Sequence, residues 1–204
     1  NSIYFGRYTG DTPGMGFLKH PRKAPEDYRE ELSSKLEDAF QYLRDLELYR
    51  SQVARVAPNE LDSFADPLGP ELITRWEMQE SPPDILVTNI SMLGAMLERE
   101  VDASIFEKTR RWIQDNDHAY FYLVLDELHL QRGSAGTEAA YLLRYLVDRL
   151  GLSAKEHRHK LRILASSASI PTDGRPGGLG EVGGGGLAAE DEGGQRPGAV
   201  GHFH

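Results

Sequence analysis

Ala119-Tyr120-Phe121-Tyr122-Leu123-Val124-Leu125-Asp126-Glu127-Leu128-His129 is the stretch that decides how this chain is read. Its first seven residues are apolar or aromatic, with no charged residue to break them. Such a run reads as a strand buried on both faces of a parallel sheet. In open α/β sheets, ligands bind just beyond the carboxyl ends of the strands. Two adjacent acids at that edge, Asp126 and Glu127, suit a magnesium-nucleotide site: one carboxylate can hold the metal and the next can orient or deprotonate an attacking water. The same pair would also serve as a helix N-cap with first-turn acids. The other segments decide between the two.

Three further strand candidates each run into a polar or small-residue loop. Ile3-Tyr4-Phe5 leads to Gly6-Arg7-Tyr8-Thr9-Gly10, Ile85-Leu86-Val87 to Thr88-Asn89, and Ile163-Leu164-Ala165 to Ser166-Ser167-Ala168-Ser169. Helical spacing fills the gaps. Pro25 suits a first turn ahead of Leu32, Leu36, Phe40 and Leu43. Pro70 would begin a second helix with Leu72, Ile73 and Trp76. Ser91 would cap a third with Met92, Leu93, Met96 and Leu97. A longer helix carries Ala139, Leu143, Leu146, Val147 and Leu150, closed by Gly151. Residues 11–24 and 51–70 read as loops, and about 12–80 as a helical insertion. Strands alternating with helices predict an α/β fold with a parallel sheet.

Bulk properties narrow the function. The 204 residues suffice for one sizeable domain. No apolar stretch approaches the ~20 residues needed to span a bilayer, so no membrane partner is expected. Cysteine is absent, which excludes disulfides and thiolate metal sites and fits a cytoplasmic location. The net charge of −9 is not the basic footprint of a stand-alone nucleic-acid binder. Lys155-Glu156-His157-Arg158-His159-Lys160 reads as a solvated charged loop, with no acid or cysteine to complete a ligand set around its histidines.

The order of these segments resembles the middle of the first RecA-like domain of superfamily 2 DEAD/DEAH-box helicases. Pro82-Pro83-Asp84-Ile85-Leu86-Val87-Thr88-Asn89 with Met92-Leu93 resembles the region of motif Ib. Asp126-Glu127-Leu128-His129 resembles motif II, and Ser167-Ala168-Ser169 resembles motif III. Arg7-Tyr8-Thr9-Gly10-Asp11-Thr12 is similar to the glycine-containing loop after an earlier strand. Thr74-Arg75-Trp76-Glu77-Met78, and Arg132-Gly133 with Gly136, are similar to the Lhr-like (large helicase-related) branch, which is associated with DNA repair and phage defence. The likeness covers about residues 3–172.

The resemblance implies a partial RecA-like (P-loop NTPase) domain over 1–172, and ATP and Mg2+ as cofactors. Asp126 would hold magnesium through water, and Glu127 would activate the water that attacks the γ-phosphate. His129 would link this loop to motif III. Ser167 and Ser169 would relay hydrolysis to strand movement. Thr88 and Asn89 would contact the backbone of DNA or RNA, with Arg7 and Thr9 as further candidates. The other implied partner is a second RecA-like domain of the same protein.

The chain also departs from that pattern. No Gly-x-x-x-x-Gly-Lys-Ser/Thr phosphate loop occurs; Gly133-Ser134-Ala135-Gly136-Thr137 is Gly-rich but lacks the lysine. In the family that loop lies upstream of the region corresponding to Asn1. The expectation is therefore a fragment of an ATP-dependent helicase or translocase, inactive by itself. The alternative is a non-catalytic RecA-like module that binds nucleic acid or acts as a scaffold. A metal-dependent hydrolase would need further acids or histidines at other strand ends, and none stand there.

Twelve of the 21 glycines lie between Gly174 and Gly201, including Gly183-Gly184-Gly185-Gly186. Residues 173–204 read as a disordered tail, of the kind a frame shift in a G- and C-rich gene would leave. They offer few apolar groups to offset an ordering cost of ~1–2 kcal/mol per residue, so truncation after Pro171 is expected to leave the melting temperature within about a degree. A drop of several degrees in a thermal scan would show that the tail packs.

Overall fold

The computed structural model describes residues 2–127 and 133–166 as a mixed α/β arrangement of parallel strands and helices. His129, Ser167, Ser169 and the 173–204 tail lie outside the described residues. The strands are β1 (Phe5–Tyr8), β2 (Glu71–Leu72), β3 (Ile85–Thr88), β4 (Phe121–Leu125) and β5 (Leu161–Ala165). The helices are α1 (Arg29–Val56), α2 (Arg75–Glu80), α3 (Ile90–Glu98), α4 (Ala103–Asp115) and α5 (Gly133–Arg149).

The strands form two sheets where one was expected. β2, β1 and β3 make the first in that order, and β4 pairs with β5 in the second, all in parallel. One core serves both. Tyr8, Met78, Leu97, Ile113, Leu150 and Leu152 are its most enclosed members, and Leu86, Phe121, Leu123 and Leu161 pack on it from the strands. Gly6 lets α2 lie close on β1, since a Cβ there would meet Met78 Sδ at 2.5 Å.

The two-sided burial read from the β4 sequence is not what the structure shows. Phe121 and Leu123 face the core, whereas Tyr122 and Val124 are 58% and 65% exposed. The described helices pack on one face only, and Ile85, Val87 and Leu164 are likewise left open.

Several boundaries moved for identifiable reasons. β1 begins at Phe5, the first residue to pair with β2 and β3, while the Tyr4 N–H is taken by the Asp84 carboxylate, and the pairing runs on through Gly6-Arg7-Tyr8. Pro70 starts no helix. Glu71–Leu72 pair with β1, and α2 waits for Thr74, whose side chain accepts from the Glu77 N–H while the Glu77 carboxylate accepts from the Thr74 N–H. Asn89, not Ser91, caps α3. Pro25–Asp27 form a 3-10 turn before α1, and α1 runs on into the expected 51–70 loop, followed by a second 3-10 turn at Pro58–Ser63. α1 packs beside that turn rather than over the sheet. Arg50 holds it there through the carbonyls of Phe64 and Ala65 at 2.7 and 3.2 Å, so Phe40 faces solvent and Ala39 is the fully buried position.

α4 was missed by the sequence reading, although Ile105, Phe106 and Ile113 bury along it. The loop read as solvated ends in Lys160, which is 3% exposed. Its ammonium donates to the carbonyls of Ile113 and Asn116 at 2.6 and 2.8 Å, where the negative end of α4 favours a cation.

Gly151 closes α5 as expected. Its φ is +73°, its N–H donates to Asp148 O, and the Leu152 N–H donates to Val147 O. A Cβ in that conformation costs about 1–2 kcal/mol. Gly151→Ala is expected to lower stability by about that amount in urea unfolding with an unchanged m-value, and an unchanged midpoint would refute it.

Candidate functional site

The two acids sit where the sequence put them, just past the end of β4. β4 and β5 run in register to a common end, with Leu125 opposite Ala165. The next residue on each strand then meets the other. The Ser166 N–H donates to Leu125 O at 2.9 Å, and the Ser166 hydroxyl donates to Asp126 Oδ1. The same Oδ1 accepts the Glu127 N–H at 3.0 Å. Asp126 is thus fixed from two sides while remaining exposed.

Glu127 is also exposed, and its φ of +52° makes it the single non-glycine residue with positive φ among the described residues. Residues held in the left-handed region concentrate where a side chain must be aimed. Among the described residues no group of three or more His, Cys, Asp or Glu converges. Magnesium carried with a nucleotide asks less, because one or two protein carboxylates plus the substrate phosphates complete its shell. Asp126 could meet that demand.

A second group gathers at the ends of β1 and β3, where Tyr8 pairs with Thr88. The Thr88 hydroxyl donates to Tyr8 O at 2.7 Å, which leaves its oxygen as an acceptor. Asn89 Oδ1 accepts the Met92 N–H at 2.8 Å as the α3 cap, leaving the amide NH2 as its donor. Arg7 pairs with Glu71 at 2.9 Å on the uncovered sheet face. The Thr9 N–H donates to Thr12 Oγ1 at 2.9 Å, and that hydroxyl donates to Arg7 O at 2.7 Å, folding residues 9–12 into a tight turn. Among the described residues no hydrogen bond joins this group to Asp126, whose partners are Ser166 and the Glu127 N–H.

Beneath the turn lies a polar cluster that sequence reasoning missed. Asp102 is 0% exposed and accepts from Tyr8 Oη, from Gln79 Nε2 at 3.0 Å and from Arg99 Nε at 2.8 Å. Arg75 is 2% exposed, with its guanidinium 5.2 Å over the Tyr8 ring. Burial lowers its pKa. Burial, then the bond to Asp102, raise that of Tyr8 from an ordinary 10.0. The available signal was an acid, Asp102, three residues before the apolar helical stripe that begins at Ile105. Its partners are 94, 23 and 3 residues away in sequence.

Comparison with known proteins gives a partial likeness. No protein-family model matches this mixed α/β chain, and no solved structure matches it. The Druantia protein DruE of Escherichia coli (strain UMEA 4076-1) is 43% identical to it over 100 residues, which is 49% of this chain. The matched segment spans 5% of that relative's length. Among the described residues no helix is long and apolar enough to cross a membrane.

The raised Tyr8 pKa sets a pH dependence. The folded chain keeps the Tyr8 proton where the unfolded chain releases it. The contribution is therefore complete below a pH of about 10 and is lost as pH rises past it. Tyr8→Phe should be less stable at neutral pH, because Asp102 loses a donor. The gap to the parent should narrow as pH is raised from about 9 to about 12 in denaturant titrations. A constant gap across that range would separate Tyr8 ionisation from stability.

Proposed function

We propose that this chain is part of the first RecA-like domain of an ATP-dependent nucleic-acid helicase or translocase. The observation that carries the reading is the paired end of β4 and β5. There Ser166 holds Asp126, and Glu127 stands in a left-handed conformation immediately after it. Structural acids capping a helix would not require a strained backbone, nor a hydroxyl from the neighbouring strand. The likeness to DruE supports a place in a much longer polypeptide.

In this reading Asp126 holds nucleotide-bound magnesium through water, and Glu127 orients and deprotonates the attacking water. Magnesium would supply neutralisation of the phosphate charge that builds in the transition state. Ser166 keeps Asp126 in place and joins it to the chain entering Ser167 and Ser169, which are proposed to pass the state of the nucleotide on to a second RecA-like domain. His129 is proposed to connect the acid loop to that segment. Thr88, Asn89, Arg7 and Thr9 form the proposed strand-contacting edge, on DNA or RNA.

The phosphate cradle and the second domain must come from elsewhere in a parent polypeptide. The 204-residue chain alone is therefore expected to bind ATP weakly or undetectably. A version extended in both directions should show magnesium-dependent ATP hydrolysis. In that version Glu127→Gln should abolish turnover while ATP stays bound, since it removes the base and keeps the shape. Normal turnover in the Gln variant would remove Glu127 from the mechanism. Nucleic-acid binding with no nucleotide response in any extended version would favour a non-catalytic RecA-like module.

A further inference from the structure

Arg75 is a buried cation whose polar partners are main-chain oxygens. Its backbone N–H donates to Pro13 O at 2.9 Å, and its Nη2 donates to Thr9 O at 2.6 Å and to Gly10 O at 3.1 Å. Its Nε has no partner. An arginine kept for packing alone is a poor choice, because an apolar side chain of similar volume often serves as well or better in a buried site. A guanidinium can do what an apolar group cannot: it draws two successive carbonyls inward.

That has a consequence for the opposite side of the turn. In a trans peptide unit the C=O and N–H point in opposite directions. Turning Thr9 O toward Arg75 therefore aims the Gly10 N–H away from the interior. Turning Gly10 O toward Arg75 does the same for the Asp11 N–H. Neither N–H donates to another described residue, both residues are exposed, and the space around Gly10 is open. Two adjacent outward amides of this kind form a concavity that suits one phosphate oxygen. Asp11 carries an acid on the same turn, so any phosphate there is met by main chain rather than by a cationic side chain.

The cluster also fixes where this concavity stands. Tyr8 lies under the Arg75 guanidinium, its carbonyl accepts from Thr88, and its hydroxyl reaches Asp102. Arg99, at the end of α3, meets the same carboxylate at 2.7 Å. The 9–12 turn and the Asn89-capped start of α3 are thereby parts of one braced unit.

We infer that Arg75 is a positioning residue that orients the Thr9-Gly10 and Gly10-Asp11 peptide units so that their amides take a backbone phosphate of a single nucleic-acid strand. This rests on the strand-contacting role proposed above for the same edge.

The test measures binding of fluorescein-labelled oligothymidylate and oligouridylate to the full chain by anisotropy, at several salt concentrations. Arg75→Met keeps the volume and removes the donors; Arg75→Lys keeps a charge but has no fork. Met should weaken binding about tenfold and Lys by less, at a retained melting temperature. The slope of log affinity against log salt should be unchanged, since no cation leaves the contact surface. Gly10→Pro, on the exposed turn, deletes one amide directly and should weaken binding to a similar degree. Combined with Arg75→Met it should add little. Wild-type affinity in Arg75→Met or in Gly10→Pro would overturn the inference, as would additive losses in the double variant. Failure of the unaltered chain to bind either oligonucleotide would instead remove the strand-contacting reading, and this inference with it.

Discussion

A carboxylate taken wholly out of water must be met by donors on nearly every side, and Asp102 is that carboxylate here. Its donors come from three places: Tyr8 on β1, Gln79 on α2, and Arg99 at the end of α3. Asp102 itself immediately precedes α4. Removing any one donor leaves charge density buried without compensation, so the four elements are held to a common geometry. Apolar packing around Met78, Met96 and Ile113 supplies the bulk of the burial but tolerates small sliding. The Asp102 cluster does not tolerate it, because hydrogen bonds weaken steeply with angle and distance.

The two candidate groups are built by different means. At the end of β4, geometry comes from strand register: β5 stops opposite β4, and Ser166 reaches Asp126 because the strands are in step. At the ends of β1 and β3, geometry comes from the buried cluster below. The first leaves Asp126 and Glu127 exposed just beyond the strand end, with Glu127 in a left-handed backbone conformation. The second sets the Thr88 hydroxyl, the Asn89 amide and the 9–12 turn at the ends of β1 and β3. In the reading proposed above, the first would serve hydrolysis and the second a nucleic-acid strand, in a chain of net charge −9.

What could be read from sequence follows the range of the interactions. Gly151 was legible because a Schellman closure is local, spanning residues 147–152. The Ala139–Leu150 and Met92–Leu97 stripes were legible because their period is that of a helix. The position of Asp126 at the end of β4 was legible because an acid after a continuous apolar run is a local contrast. The Asp102 cluster was not, because Tyr8 and Gln79 come from distant segments and look like ordinary surface residues in sequence. The start of α2 was misjudged because Pro70 is a permissive first-turn residue, and the reciprocal bonds between Thr74 and Glu77 outweighed it. Lys160 was read as solvated because a run of charges gives no hint that one of them ends beneath α4.

The misreading of β4 is the most informative of these. A continuous apolar strand is the composition of two-sided burial, and the described helices cover one side. Tyr122 and Val124 on β4, Leu164 on β5, and Ile85 and Val87 on β3 leave apolar surface facing outward on both sheets. Open apolar surface on this scale marks a face meant to be covered. The strand sequence and the strand environment therefore disagree in a particular direction, since the residues anticipate a layer that the described elements do not provide. That direction agrees with the relative's proportions, in which the matched segment is a small part of a far longer chain. It also explains why the polar brace around Asp102 matters so much here. Among the described residues the helices pack on one face of the strands, and the relative placement of β1, α2, α3 and α4 depends on directed bonds as well as on packing.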